Sequence, residues 1–265
     1  MLLNSVVIVL REVLEAALLL SVFLASTQFL KLGNRWAIVA TLLGVLGAIA
    51  YGYLLDPLSE LFDGVGQEIC NALLQFATFA LIGAVVFLIG RQISSPKGHQ
   101  PILQALMAAA VALAVTREGA EILIYVSGFW QMTDFFSAVG VGSLIGACIG
   151  FSVGVLIYYL LVAQPSERAL RVSLVLLLLI AAGMSSQATR LLIQADWISA
   201  AGALWNTSAF LSEESLLGQL LYALVGYEAS PAAIEVAVHA GSMVVVAALY
   251  FVGRSIGSGV VDEVR

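Results

Sequence analysis

Arg11-Glu12-Val13-Leu14-Glu15 recurs 106 residues further on as Arg117-Glu118-Gly119-Ala120-Glu121, and both copies lie well inside long apolar runs. Each run is long enough to cross a bilayer, which needs about 20 residues of helix. A charged side chain near the bilayer centre costs roughly 2.5–3.5 kcal/mol even on the lenient insertion scale. Six of them, if the costs add, burden the chain by roughly 15–20 kcal/mol. Residues in such positions are by default an ion or substrate pathway.

Composition places nearly the whole chain in the membrane. It is 61% hydrophobic and 11% charged, with mean hydropathy +1.03, where a soluble domain carries about 25% charged residues. No stretch is polar and long enough for a separate soluble domain. The expected surroundings are membrane lipid, with no nucleic-acid partner. The N-terminal run lacks a basic start and is too long for a signal peptide, so it reads as a retained first span. Cys70 and Cys148 each lie in an apolar segment and read as small buried residues rather than a disulfide or metal pair.

The expected fold is an all-α integral membrane protein of seven transmembrane helices, at about 2–30, 36–55, 69–93, 102–130, 136–163, 172–194 and 232–254. Basic residues occupy alternate connections: Lys31 and Arg35, Arg91 and Lys97, Arg168 and Arg171, Arg254 and Arg265. The other connections hold acids, namely Asp56, Glu60, Asp63 and Glu68, then Asp134, then Asp196, Glu213, Glu214 and Glu228. The positive-inside rule then sets the N-terminus outside and the C-terminus in the cytoplasm of a multi-pass cell (inner or plasma) membrane protein. In the last outer connection, 195–231, Ser212, two acids, a leucine pattern and Gly226 predict a short helix of about 13 residues, interfacial or re-entrant.

The 106-residue offset continues beyond the motif: Ser21 and Ser127, Phe23 and Phe129, and Gly44 and Gly150 correspond. One permease domain, 1–265, is expected, with repeat one at about 1–93, repeat two at about 102–194 and a seventh span added. Three spans per unit force the second copy to run in the opposite direction, the inverted repeat that places transport sites near the midplane. Small residues recur every fourth position at Ala40, Gly44, Ala48 and Gly52, and at Gly142, Gly146, Gly150 and Gly154. They predict close helix packing within the chain.

At 100° per residue, each motif sets one arginine and two glutamates within one arc of its helix, with Arg11–Glu15 and Arg117–Glu121 as i,i+4 pairs. If the two helices meet, Glu12, Glu15, Glu118 and Glu121 form an oxygen cage suited to a hard cation, partly neutralised by Arg11 and Arg117. A purely structural clamp is a weaker reading, since apolar residues often replace buried ion pairs without loss. Glu235 and His239, at i,i+4 in the last span, and the acids Asp56, Glu60, Asp63 and Glu68 are further pathway candidates. An intramembrane serine protease finds only Ser127-Gly128 and His239, without the flanking glycine pattern. A retinal protein would need a lysine in a span, and both lysines lie in connections.

The paired motifs, Arg11-Glu12-x-x-Glu15-Ala16-Ala17-Leu18 and Arg117-Glu118-Gly119-x-Glu121, resemble those of the high-affinity, oxidase-dependent iron permeases of fungi and bacteria. So do Ala181-Ala182-Gly183, Leu204-Trp205-Asn206 and Gly226-Tyr227-Glu228-Ala229-Ser230-Pro231. The resemblance covers nearly the whole chain. Val13 stands where that family more often has glycine. The resemblance implies an iron uptake permease, not an enzyme. Iron, expected as ferric, would be the transported substrate, and no cofactor would be permanently bound. It implies Glu12, Glu15, Glu118 and Glu121 as metal-binding residues, and an extracytoplasmic iron oxidase or iron-delivery protein as partner. In bacteria such partners include a haem-peroxidase-type protein; in fungi, a multicopper oxidase. Another divalent or heavy-metal cation, such as Mn or Pb, is the alternative substrate, because oxygen ligands alone do not separate these ions.

Overall fold

The computed structural model describes residues 1–94 and 100–262, which form eight helices. Lys97 and Arg265 lie outside the described residues, as do the side chains of Asp56 and Asp134. Seven helices have 27 to 30 residues: α1 (Leu2–Phe29), α2 (Arg35–Leu61), α3 (Gly66–Ser94), α4 (Gln100–Ser127), α5 (Thr133–Val162), α6 (Ser166–Gln194) and α8 (Ala233–Asp262). At 1.5 Å per residue each is about 40 Å long, more than a hydrocarbon core of about 30 Å requires. Five of them, α2, α3, α5, α6 and α8, are also apolar enough to cross a membrane. In α1 and α4 the motif charges interrupt the apolar window, so composition alone does not mark them as spans. The chain is an all-helical, multi-pass membrane protein. Ends differ from expectation chiefly at α8, which runs on to Asp262, at α2, which continues through Pro57 to Leu61, and at α6, which begins at Ser166.

The small-residue stripes pack the bundle from within. α5 lies along α1, and α2 along α4, as the two most extensive helix contacts. A Cβ on Gly142 would stand 2.6 Å from the Leu2 carbonyl oxygen, and one on Gly146 would stand 2.9 Å from the Leu10 nitrogen. Gly154 lies against Ala17, and Gly44 against Val115 on the other pair. Both pairs run parallel, since rising numbers on one helix meet rising numbers on the other. Gly150 faces Val13 and Ala48 faces Gly119. The valine in the first motif is thus accommodated by a glycine opposite it. Turned away from these seams, Leu42 and Leu46 on α2 and Leu144, Phe151 and Leu156 on α5 are exposed, as lipid-facing residues should be. Cys148 lies on the exposed side of α5, not in the interior; Cys70 is half-buried, and both are free thiols.

Gly146→Leu should therefore destabilise the bundle strongly. The new side chain meets helix backbone, which cannot move aside as a side chain can, and overpacking costs about 1–3 kcal/mol or more. Gly52→Ala, where a Cβ meets nothing within 4 Å, should be neutral. Thermal unfolding in detergent, followed by size-exclusion, distinguishes the two.

The main apolar core joins α1, α3, α4 and α6 through Phe23, Ile82, Ile89, Met107, Val111 and Leu177. α7 (Leu216–Val225) is the short helix. Its N-cap is Ser215, whose hydroxyl accepts from the Gly218 N–H at 3.0 Å, not Ser212, which instead closes the preceding turn through Glu214 N–H. It ends at Gly226 in the left-handed conformation, φ 66°. Ala223 packs with Leu10, Leu14 and Leu18, the middle of α1. The short helix is thus packed into the bundle against α1.

Candidate metal site

α1 and α4 run antiparallel: Ser5, near the start of one, shares a 2.8 Å hydrogen bond with Tyr125, near the end of the other. Their motifs consequently meet at mid-length. Single carboxylate oxygens of Glu12, Glu118 and Glu121 lie within 4.8 Å of one another. Glu12 and Glu118 are almost wholly buried, and Glu121 is partly open. Glu15 is buried beside them but stands outside this triad, 3.4 Å from Arg117 Nη1. The structure thus brings together three of the four expected ligands and sets the fourth against the shared arginine.

The two arginines are not equivalent. Arg117 is buried and pairs with Glu118 through Nη1 and with Glu121 through Nη2 at 3.3 Å, besides Glu15. Arg11 keeps 40% of its side chain exposed and pairs with Glu12 at 2.9 Å. The expected i,i+4 pair Arg11–Glu15 is not made. The Arg11 guanidinium instead turns over the ring of Tyr222 on α7, 5.3 Å from its centre, a cation–π contact that competes for its orientation.

Residues that sequence reasoning did not select complete the surround. Asn71 Nδ2 donates to Glu121 Oε1 at 3.0 Å, and Tyr51 donates to Asn71 Oδ1 at 2.9 Å. Gln75 donates to Gln187 at 2.6 Å across α3 and α6. Asn71, Gln75 and Thr78, at i, i+4 and i+7, form a buried polar face on an apolar helix, and that spacing is the signal that could have found them. Even so, Glu12 Oε2, Glu15 Oε1 and Glu118 Oε2 are buried without a hydrogen-bond donor among the described residues. Buried carboxylate oxygens left so are costly unless a cation meets them. The donor set, all carboxylate oxygen, fits a hard ion.

The other candidates lie elsewhere. Glu60 and Asp63 are exposed and Glu68 is half-buried at the start of α3; none belongs to the triad. Asp56 is on α2, its side chain outside the described set. Glu235 is buried in the first turn of α8, where it accepts the Ala232 N–H, half of a capping box. His239, one turn on, lines a cavity of about 240 Å³ together with Glu228. Burial pushes the Glu228 carboxyl up to about 7 against the pull of Arg190.

Bundle and buried acids together define a multi-pass membrane protein with a candidate cation site at mid-length. The profile of the iron permease FTR1 family matches residues 2–258, and the chain belongs to that family, whose members are transporters rather than enzymes. It is 29% identical to the ferrous iron permease EfeU of Yersinia pestis over 252 residues, 88% of this chain and 87% of that protein. The corresponding protein of Yersinia pseudotuberculosis is also 29% identical over 252 residues, 88% of this chain and 86% of the relative. Against ferrous iron permease EfeU of Escherichia coli O6:H1 identity is 27% over 251 residues, 87% and 88% of the two chains. No solved structure matches.

Proposed function

We propose that the chain carries iron inward through a midplane site made by Glu12, Glu118 and Glu121, with Glu15 as the fourth carboxylate, by alternating access between two inverted repeats. The observation that carries this is the buried triad itself, three carboxylates from two antiparallel helices with oxygens left unsatisfied. Packing supports the repeat: α1 on α5 is mirrored by α4 on α2, while Gln75 and Gln187 pair across α3 and α6. In this reading α1–α6 and α8 are the seven spans, and α7 enters from outside. Gln104 near the start of α4 donates to the Gly33 carbonyl at 3.0 Å. That bond sets the Lys31–Arg35 turn at the same end of the bundle as the start of α4, in keeping with a basic cytoplasmic face. An all-carboxylate set favours ferric iron as the carried species, supplied at the outer face by an iron oxidase or delivery protein.

The membrane field then drives uptake. Each charge crossing 100 mV gains about 2.3 kcal/mol, so a bare trivalent ion gains about 7. Radioactive iron uptake by sealed vesicles holding the protein should rise steeply with an inside-negative potential and need no ATP. Uptake unchanged with the potential clamped at zero would mean electroneutral exchange. Equal uptake of ferrous iron kept reduced would overturn the ferric preference.

A further inference from the structure

A second group of acids stands beside the 240 Å³ cavity between α6, the 195–231 connection and the start of α8, which Glu228 and His239 line. Arg190 on α6 stands among three carboxylates there: Glu228 Oε1 at 3.4 Å, Glu235 Oε1 at 3.8 Å and Glu213 Oε2 at 4.0 Å. These separations are longer than the 2.7–2.9 Å of a charge-assisted hydrogen bond. One guanidinium facing three carboxylates also leaves the group acidic.

Backbone donors hold the acids in place. Glu213 Oε1 accepts the Ala229 N–H at 2.6 Å, and Glu235 Oε2 accepts the Ala232 N–H. Each thereby keeps its other oxygen for Arg190. Glu228 differs: it is 5% exposed, lines the cavity, and neither of its oxygens accepts a hydrogen bond among the described residues. It is held there by the turn after Gly226, whose left-handed backbone packs directly on Gly183 of α6. A carboxylate buried so, with one loose cation for company, has unmet need of positive charge.

We propose a second cation site at the edge of this cavity, in which a hard di- or trivalent cation binds the cavity-lining Glu228 and the adjacent Glu235 and displaces the Arg190 guanidinium that both now face. Oxygen donors of this kind select hard cations. Glu213 lies on the connection and His239 faces the same space, so both border the ion's route. A buried polar run continues inward through Ser186, whose hydroxyl donates to the Glu235 carbonyl at 3.3 Å, to its neighbour Gln187 and to Gln75. The site is thus a staging position ahead of the midplane triad. Its role in transport rests on the reading of the chain as an inward iron carrier; its capacity to bind a cation does not.

Terbium(III), a hard trivalent ion that luminesces when a nearby aromatic ring absorbs light, tests this on the full chain in detergent. Trp205 and Tyr227 line the cavity and serve as antennae. Sensitised emission should saturate in the wild type and persist in Glu118→Gln/Glu121→Gln. It should weaken about tenfold or more in affinity in Glu228→Gln/Glu235→Gln, which removes two anionic ligands. Trp205→Phe should dim the emission and leave the affinity unchanged. Arg190→Gln removes the competing cation and should tighten binding; a purely structural arginine would give weaker binding. Unchanged affinity in Glu228→Gln/Glu235→Gln, or weaker binding in Arg190→Gln, overturns the proposal. Should the double variant fail to fold, Arg190→Gln decides alone. Iron uptake by Glu118→Gln judges the midplane site separately, so each reading can fail without the other.

Discussion

Glu118→Gln will lower iron uptake to the level of cells without the protein, a loss of about a hundredfold or more, while the chain still accumulates in the membrane. Glu118 is the best buried carboxylate of the triad's second helix, and one of its oxygens has no donor. The amide keeps the shape and can still accept from Arg117, but it brings no negative charge to a passing cation. The fold survives because Arg117 retains Glu15 and Glu121 as ionised partners. Glu12→Gln should behave in the same way, with Arg11 released toward Tyr222 and the solvent-accessible side. Glu15→Gln is the informative comparison. Glu15 stands outside the triad, so its loss should reduce uptake less than that of Glu118. Wild-type uptake by both Glu12→Gln and Glu118→Gln would remove the triad from the pathway.

The parts of this site that were legible in the sequence are those fixed by a single helix. The motif spacing sets one charged face per helix, and the four-residue stripes of α2 and α5 mark the faces that pack closely, though not the helices they pack on. The match of Ser21 with Ser127 and Gly44 with Gly150 points to duplication from the residues alone. What the sequence did not give depends on a second helix. A helical wheel sets Glu12 and Glu15 within one arc, but the depth at which α5 holds α1 decides which of them meets Glu118. Arg11 and Arg117 look equivalent by repeat, yet α7 packs on α1 and brings the Tyr222 ring to Arg11, while Arg117 is enclosed by carboxylates of both motif helices. Tyr222 takes Arg11 for that reason. Asn71 and Gln75 are hard to read from sequence because an isolated amide in an apolar run carries no motif; only their four-residue spacing on α3 marks them.

The same asymmetry makes Arg117→Leu the most damaging substitution expected in the protein. Arg117 is the only partner of Glu118 and Glu15 among the ion pairs of the described residues, and it is buried. Leucine leaves three buried carboxylates facing one another, and breaking a buried pair by removing one partner costs about 3–5 kcal/mol. For a chain of this size that corresponds to a fall in Tm of about 6–20 °C, enough to deplete the folded protein in the membrane. Arg117→Lys keeps the charge but not the planar fork that reaches Glu118 and Glu121 at once, so partial accumulation and partial uptake are expected. Arg11→Leu should be milder. Arg11 is 40% exposed and holds one carboxylate, and pairs open to solvent contribute about 1 kcal/mol or less. Combining Arg117→Leu with Glu118→Gln should restore part of the lost accumulation, because one unpaired charge has gone, while uptake stays absent. Membrane abundance and Tm in detergent give the order of these four variants. An Arg11→Leu chain as unstable as Arg117→Leu would mean that both arginines anchor the fold alike, against the geometry of the two motifs.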